Sequence, residues 1–381
     1  MVFARKVWHL LVAIKDALVL LLMLLFFFAL YGALTARPSA GRVQDGALLL
    51  KLDGAVVEEP SVQDPFETLL SNEAPMKEYA ARDLVRAIRL AATDERIKAV
   101  VLDLSSFSGG GLVHLQELGE ALDTVRAAKK PVLAWAVGYS DDGMLLAAHA
   151  SEVWVDPLGG AFVMGPGGNR LYFGPLLEKL KINTHVYRVG TYKDFVEPYL
   201  RDSQSEPSKE ARRAIYAAIW DAWQADVKKA RPKADIARVT SDPVGWLKAS
   251  GGDAAKAALA AGLVDKLGDD IAFGERVKQI AGKDPLDDLP GTYAHTSPGT
   301  LLAAHPVENK GKAVAVGTVA GQVVECETGP GAGGGGLRRV DGGALLRLQG
   351  RAVGCGRRPH RGAGARRPRR ARHAGARRGA D

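Results

Sequence analysis

Apolar residues along this chain recur with a helical spacing in some stretches and stand in short unbroken runs in others. Leu84, Val85, Ile88 and Ala91 mark one face of a helix over 82–92, and Leu115, Leu118, Leu122 and Val125 mark a second. The runs 99–104 (AVVLDL) and 131–137 (PVLAWAV) read as buried strands, and glycines 109–111 break the chain after the first of them. Upstream, GALLLKLDGAVVEE at 46–59 predicts an apolar strand, a turn at Asp53-Gly54 and a second short strand. Strand, helix, strand at this spacing is a crossover unit, and its repetition implies an α/β fold with a largely parallel sheet covered by helices.

Two further elements follow. Ala211, Ile215, Ile219, Trp223 and Val227 fall every four residues and predict a long helix over 207–229, with Ser205 or Ser208 as its N-cap and its stripe used for core or subunit contact. Ahead of it, YRVGTYKDFVEPYL at 187–200 puts Lys193 just after a β-branched run, 184–189, and a glycine. A strand giving way to a turn at Gly190 is the expectation, which in an α/β fold faces a site.

One run has no polar interruption. Residues 17–36, ALVLLLMLLFFFALYGALTA, carry no charge. About 20 apolar residues at about 1.5 Å each cross a hydrocarbon core of about 30 Å, so a single spanning helix is expected. A removable signal peptide has a shorter apolar region, about 7–15 residues, and an A-x-A-like exit, which favours an uncleaved anchor here. Arg5, Lys6 and Lys15 precede the run and Arg37 and Arg42 follow it. That bias puts residues 1–16 in the cytoplasm and the body outside it, on an inner (cytoplasmic) membrane crossed once.

Length and charge narrow the field. At 381 residues and 47% hydrophobic content, the chain can bury one large or two ordinary domains. The formal charge of +8 suggests nucleic acid until it is located: from residue 331 onward fourteen arginines and two aspartates give +12, leaving −4 for the rest. The body is mildly acidic, and no nucleic-acid partner is expected. Residues 312–335 restate the first strand pair, which reads as the start of a second, truncated repeat over 312–327 after a first repeat over 46–305. Residues 328–381 run into Arg, Gly, Ala and Pro, which GC-rich codons read out of frame would produce, and a disordered tail is expected there. Cys326 and Cys355 both come late, so cysteine spacing offers neither a metal site nor a disulfide framework for the body.

Candidate chemistry is left to serine and lysine. The chain has no HExxH, phosphate loop, dinucleotide glycine motif or zinc spacing, so no cofactor or metal is expected. Lys193 serves either as a general base, a role open to a lysine in a cationic or desolvated setting, or as a surface lysine paired with Asp194 or Glu197. Ser140, on the turn after the strand 131–137, is the candidate nucleophile. There it would meet backbone N–H groups at a helix N-terminus, or it is simply a polar turn or cap. The carboxylates of Asp141 and Asp142 beside it oppose a developing oxyanion. Ser108, in Ser-Gly-Gly-Gly, reads as a loop near substrate.

The stretch INTHVYRVGTYKDFVEPYLRDSQS at 182–205 resembles the signal peptide peptidases of the long, two-repeat form, the protease IV family. LYFGPLLEKLKINTH (171–185), GEALDTVRAAKKPV (119–132), YSDDGMLLAAHASEVWVDPLG (139–159) and the apolar N-terminus are similar too, so that the resemblance covers about 1–330. It implies a membrane-anchored serine endopeptidase with a crotonase-like or Clp-like fold of repeated β-β-α units. Such a protein assembles as a homo-oligomer and degrades the signal peptides left in the bilayer after secretion. It also implies that Lys193 is the general base of a Ser/Lys dyad. In the long form the nucleophile stands in an S-G-G-[YF] motif of the second repeat, and none follows Gly311. Two other readings remain: a catalytically inactive, oligomerising membrane scaffold built on the helix 207–229, and a crotonase-like activity on acyl thioesters, which the apolar run and the Lys193 stretch oppose.

Overall fold

The computed structural model describes residues 2–35, 41–61 and 76–307, and the elements below belong to one unit, residues 1–60 and 71–309. The second-repeat opening at 312–327, the tail at 328–381 and both cysteines lie outside the described residues.

Helix α1, Val2–Thr35, is one continuous helix, so it takes in both the basic N-terminal stretch and the apolar run. Its membrane-length stretch is Arg5–Tyr31, 27 residues with a mean hydropathy of 2.6 and no buried share. That stretch begins earlier than residue 17 because 7–14 is also apolar, with Lys15 and Asp16 paired at 2.9 Å after it. By length and composition it can cross a bilayer.

Strand β1 (Gly46–Lys51) starts the main sheet, but Gly54 does not fold back as a hairpin. Strand β2 (Gly54–Val57) leaves that sheet and pairs in parallel with β3 (Lys77–Ala80) in a separate two-stranded sheet. Asp53 holds the corner through Lys77 and the Tyr79 hydroxyl, and the Lys77 bond first, then that of Tyr79, keeps its carboxyl below the ordinary value.

Strands and helices then alternate: α2 (Ala81–Thr93), β4 (Ile97–Asp103), α3 (Leu112–Ala127), β5 (Val132–Tyr139), α4 (Asp141–Ala148) and β6 (Glu152–Ala161). After β6 come α5 (Gly174–Lys179) and α6 (Glu206–Ala230), then α7 (Ile236–Ser241), α8 (Pro243–Ala249) and α9 (Ala254–Ala260). Strand β7 (Lys266–Leu267), α10 (Asp270–Ala281), β8 (His295–Thr296) and α11 (Pro298–Ala304) complete the described part. The main sheet runs β7-β6-β5-β4-β1-β8 with every pairing parallel, the α/β architecture that the alternation predicts.

Both faces are covered, which explains the unbroken apolar runs. On one face Leu48, Leu50, Val100 and Leu102 meet Leu84, Ile88, Leu115, Leu118 and Leu122 from α2 and α3. On the other, Ala47, Ala99, Val101 and Leu133 meet Phe273 and Val277 of α10 together with Trp154. Gly274 lets α10 approach closely, since a Cβ there would stand 1.9 Å from the Gly291 carbonyl oxygen.

Leu122 has no exposed surface, and truncating it leaves a cavity in the larger core. Leu122→Ala is expected to cost about 2–5 kcal/mol in a urea unfolding titration, with the slope unchanged.

Candidate functional site

Ser140 is where the sequence pattern puts it, at the C-terminal end of β5, and it serves as the N-cap of α4. Its Oγ accepts the Gly143 N–H at 3.4 Å and the residue is exposed. Asp141 and Asp142 point away from it into separate tasks. Asp141 Oδ1 accepts the N–H groups of Met164 and Gly165, both at 3.0 Å, and the Asp141 carbonyl accepts the Trp223 indole N–H at 2.9 Å. Asp142 Oδ2 accepts the Gly110 N–H at 3.0 Å. The two carboxylates therefore draw the loops after β4 and β6 onto the start of α4. Ser108 is exposed on the first of those loops, its N–H donated to the Gly54 carbonyl at 2.9 Å.

Lys193 lies in a different setting from the one its sequence predicts. Residues 184–189 form no strand: nearly all are exposed, they make no ladder pairing among the described residues, and the turn at Gly190 (φ 113°) follows. The β-branched and aromatic content that suggested a strand is present, but no neighbouring strand lies beside it to complete a ladder. Lys193 is exposed, and among the described residues its ammonium makes neither a hydrogen bond nor an ion pair.

Its acidic neighbours bond to other groups. Asp194 accepts from Arg170 at 3.0 Å and from the Ser208 hydroxyl, with Arg212 at 3.8 Å. The Ser208 bond first, and Arg170 after it, hold its carboxyl below the usual range against some desolvation. Glu197 is 2% exposed. Burial alone would raise its carboxyl, but the Ser205 hydroxyl and the Ser205 N–H, the latter at 3.1 Å, outweigh it and the net shift is downward. Arg188 donates to the Lys193 carbonyl at 2.7 Å and stands 3.8 Å from Glu197.

These bonds tie the Lys193 loop to the start of α6. Ser205 is its N-cap, accepting the Ser208 N–H at 3.3 Å, so one serine closes the helix and anchors Glu197 at once. Tyr192 adds a bond to Glu210 at 3.2 Å, and Phe173 stacks on Tyr199 at 6.2 Å. A Cβ on Gly174 would lie 2.6 Å from the Arg201 carbonyl oxygen, which is why α5 can lie so close to the loop. The sequence marks Lys193, Asp194 and Glu197 but gives no signal for Arg170, Arg188 and Arg212, whose spacing along the chain is irregular. No hydrogen bond joins Lys193 to Ser140 among the described residues; the Ser140 hydroxyl bonds Gly143.

Residues 124–282 match peptidase family S49, a span that holds both Ser140 and Lys193. Protease 4 of Salmonella typhi is 36% identical over 229 residues, 58% of this chain and 37% of that protein. Protease 4 of Haemophilus influenzae is 31% identical over 324 residues, 79% of this chain and 52% of that protein. This chain thus spans about half the length of these relatives or less. Among solved structures, the membrane-bound stomatin-specific protease 1510-N with a substrate peptide is similar at 9% identity and a TM-score of 0.30, covering 66% of this chain and 92% of that one. The family match over 124–282 and the two protease 4 sequences support a signal peptide peptidase A-type protein.

Proposed function

We propose that this chain is the anchor and first repeat of a serine endopeptidase that degrades residual signal peptides at the inner membrane, with Lys193 as the general base of a Ser/Lys dyad. The observation that carries the reading is the loop itself: within the S49 span, Asp194 and Glu197 are both taken by arginines and serines, so a lysine ammonium stands free of a counter-ion. Helix α1 supplies the anchor and the lipid contact, with the body on the extracytoplasmic side.

The partner serine is expected from an S-G-G-[YF] motif in a second repeat. None follows Gly311 in this sequence. Supplied with a nucleophile-bearing second repeat, the chain should cleave an apolar peptide, and Lys193→Ala should lower that cleavage by about 10²–10⁴-fold while assembly is kept. Cleavage retained in Lys193→Ala removes the residue from the mechanism.

A second reading has its own observation. On α6, Trp223 and Val227 are buried, while Ile215 and Ile219 of the same stripe are 59% and 39% exposed, a face suited to self-association in a non-catalytic scaffold. Labelling of the chain by a fluorophosphonate that disappears in Ser140→Ala marks a first-repeat enzyme. Oligomers without labelling support the scaffold.

The loop carries a pH dependence of known sign. Asp194 and Glu197 both titrate below their ordinary values, so the stability they add is present above about pH 4 and lost as pH falls through their lowered values. Hydrogen exchange of the amides in 190–208 is expected to accelerate below about pH 4 before the central sheet opens.

A further inference from the structure

The route by which the chain enters the body limits how far the body can stand from a bilayer crossed by α1. That helix ends at Thr35, shortly past the end of its membrane-length stretch at Tyr31, and the described body begins at Gly41. The residue steps between Thr35 and Gly41, at no more than about 3.6 Å each, keep the two within about 22 Å of one another. A Cβ on Gly41 would stand 3.5 Å from Thr300 Oγ1, so the chain enters against α11. Helix α11 in turn packs on α2: Leu301 shares a core with Leu84 and Ile88, and Arg86 donates to the His305 carbonyl. The tether thus keeps α11 and α2 within reach of the headgroups.

Between α2 and α3 lies an open groove of about 640 Å³. Arg82, Arg86 and Arg89 line it from α2, where they fall at helical spacing, and Glu117 and Glu120 line it from α3. Opposite charges this close in the fold would ordinarily pair, yet no ion pair joins the two rows among the described residues. Arg82 stands 3.8 Å from Asp83 and Arg86 is taken by the His305 carbonyl, while Arg89, Glu117 and Glu120 make neither a hydrogen bond nor an ion pair. Arg82, Arg89 and both glutamates are exposed. The groove therefore offers a cationic side and an anionic side with a gap between them. We propose that it holds the headgroup of a phosphatidylethanolamine lipid of the anchoring bilayer, its phosphate on the arginines and its ammonium on the glutamates. Guanidinium N–H groups match phosphate oxygens, and a primary ammonium has N–H donors for two carboxylates. A purely anionic headgroup would satisfy the arginines and set a negative charge against Glu117 and Glu120. A trimethylated ammonium has no N–H to donate. The proposal rests on the anchor in the peptidase reading, and none of its residues belongs to the Lys193 loop or the Ser140 turn.

The test reads the groove side chains directly and requires no cleavage. The full chain is placed in nanodiscs of phosphatidylcholine alone, or with part of that lipid replaced by phosphatidylethanolamine or by phosphatidylglycerol. Arginines are modified with phenylglyoxal and carboxylates with a carbodiimide and glycine ethyl ester. Rates are followed by mass spectrometry against the exposed Arg238 of α7 and Asp221 of α6. Phosphatidylethanolamine should slow modification of Arg89, Glu117 and Glu120 by about threefold or more relative to phosphatidylcholine. Glu117→Gln combined with Glu120→Gln should remove the slowing at Arg89 at an unchanged melting temperature, since both positions are on the surface. Equal rates in the two lipids overturn the proposal. So does slowing at Arg89 by phosphatidylglycerol with both glutamates unaffected, which marks general attraction of arginines to an anionic surface. The same protection in phosphatidylcholine discs from phosphoethanolamine free in solution also overturns it, in favour of a soluble ligand. A chain that elutes apart from the nanodiscs overturns the anchor itself, whereas one that co-elutes and shows equal rates leaves the anchor standing and removes the headgroup site.

Discussion

The region around Lys193 depends on how one half of a helix is seated. Helix α6 is held to the body by its C-terminal half, where Trp223 and Val227 are buried and the Trp223 indole bonds the Asp141 carbonyl. Beneath it His149, with no exposed surface, hydrogen-bonds Asp123 through Nδ1 at 3.1 Å, and its Nε2 lies 3.6 Å from Asp226 of α6 without a hydrogen bond. The helix is therefore held there by apolar packing and the Trp223 bond, while His149 Nε2 and Asp226 Oδ2 are buried without a hydrogen-bond partner. The N-terminal half then projects from the body, and the Lys193 loop is built on it.

That loop has little core of its own. Its order comes from two carboxylates shared among three guanidiniums and two serines, an arrangement that satisfies Glu197 and Asp194 and leaves Lys193 out of the network. Guanidiniums suit the task because their planar donors can serve a carboxylate and a backbone carbonyl together, as Arg170 and Arg188 both do. The result is a stretch of chain that is tightly bonded on one side and bare on the other, with Tyr187, Val189 and Phe195 turned to solvent.

Ser140 stands on a different footing. It caps a helix that follows directly from the central sheet, and the two acids after it gather the loops from β4 and β6 onto that cap. Asp141 and Asp142 raise the electrostatic objection to an oxyanion beside Ser140, and their bonds show what else they do: they satisfy backbone N–H groups that would otherwise be open.

The sequence by itself determined the α/β class, the helices around Leu84 and Leu115, the strands at 99–104 and 131–137, the extent of α6 to within a residue at each end, and the apolar helix, because each is written in a local period or run, while the choice of Ser205 over Ser208 as the cap of α6 came from the structure. The 182–205 stretch likewise carried the family resemblance on its own letters. Only the tertiary structure decided that β2 leaves the main sheet for β3, that 184–189 has no strand beside it, and that Asp194 and Glu197 bond to Arg170, Arg188, Ser205 and Ser208 in preference to Lys193. Those outcomes turn on which partner arrives from elsewhere in the chain. A strand needs a neighbour and a carboxylate takes the best-placed donor, and neither choice is encoded by the residues that lie next to it in sequence.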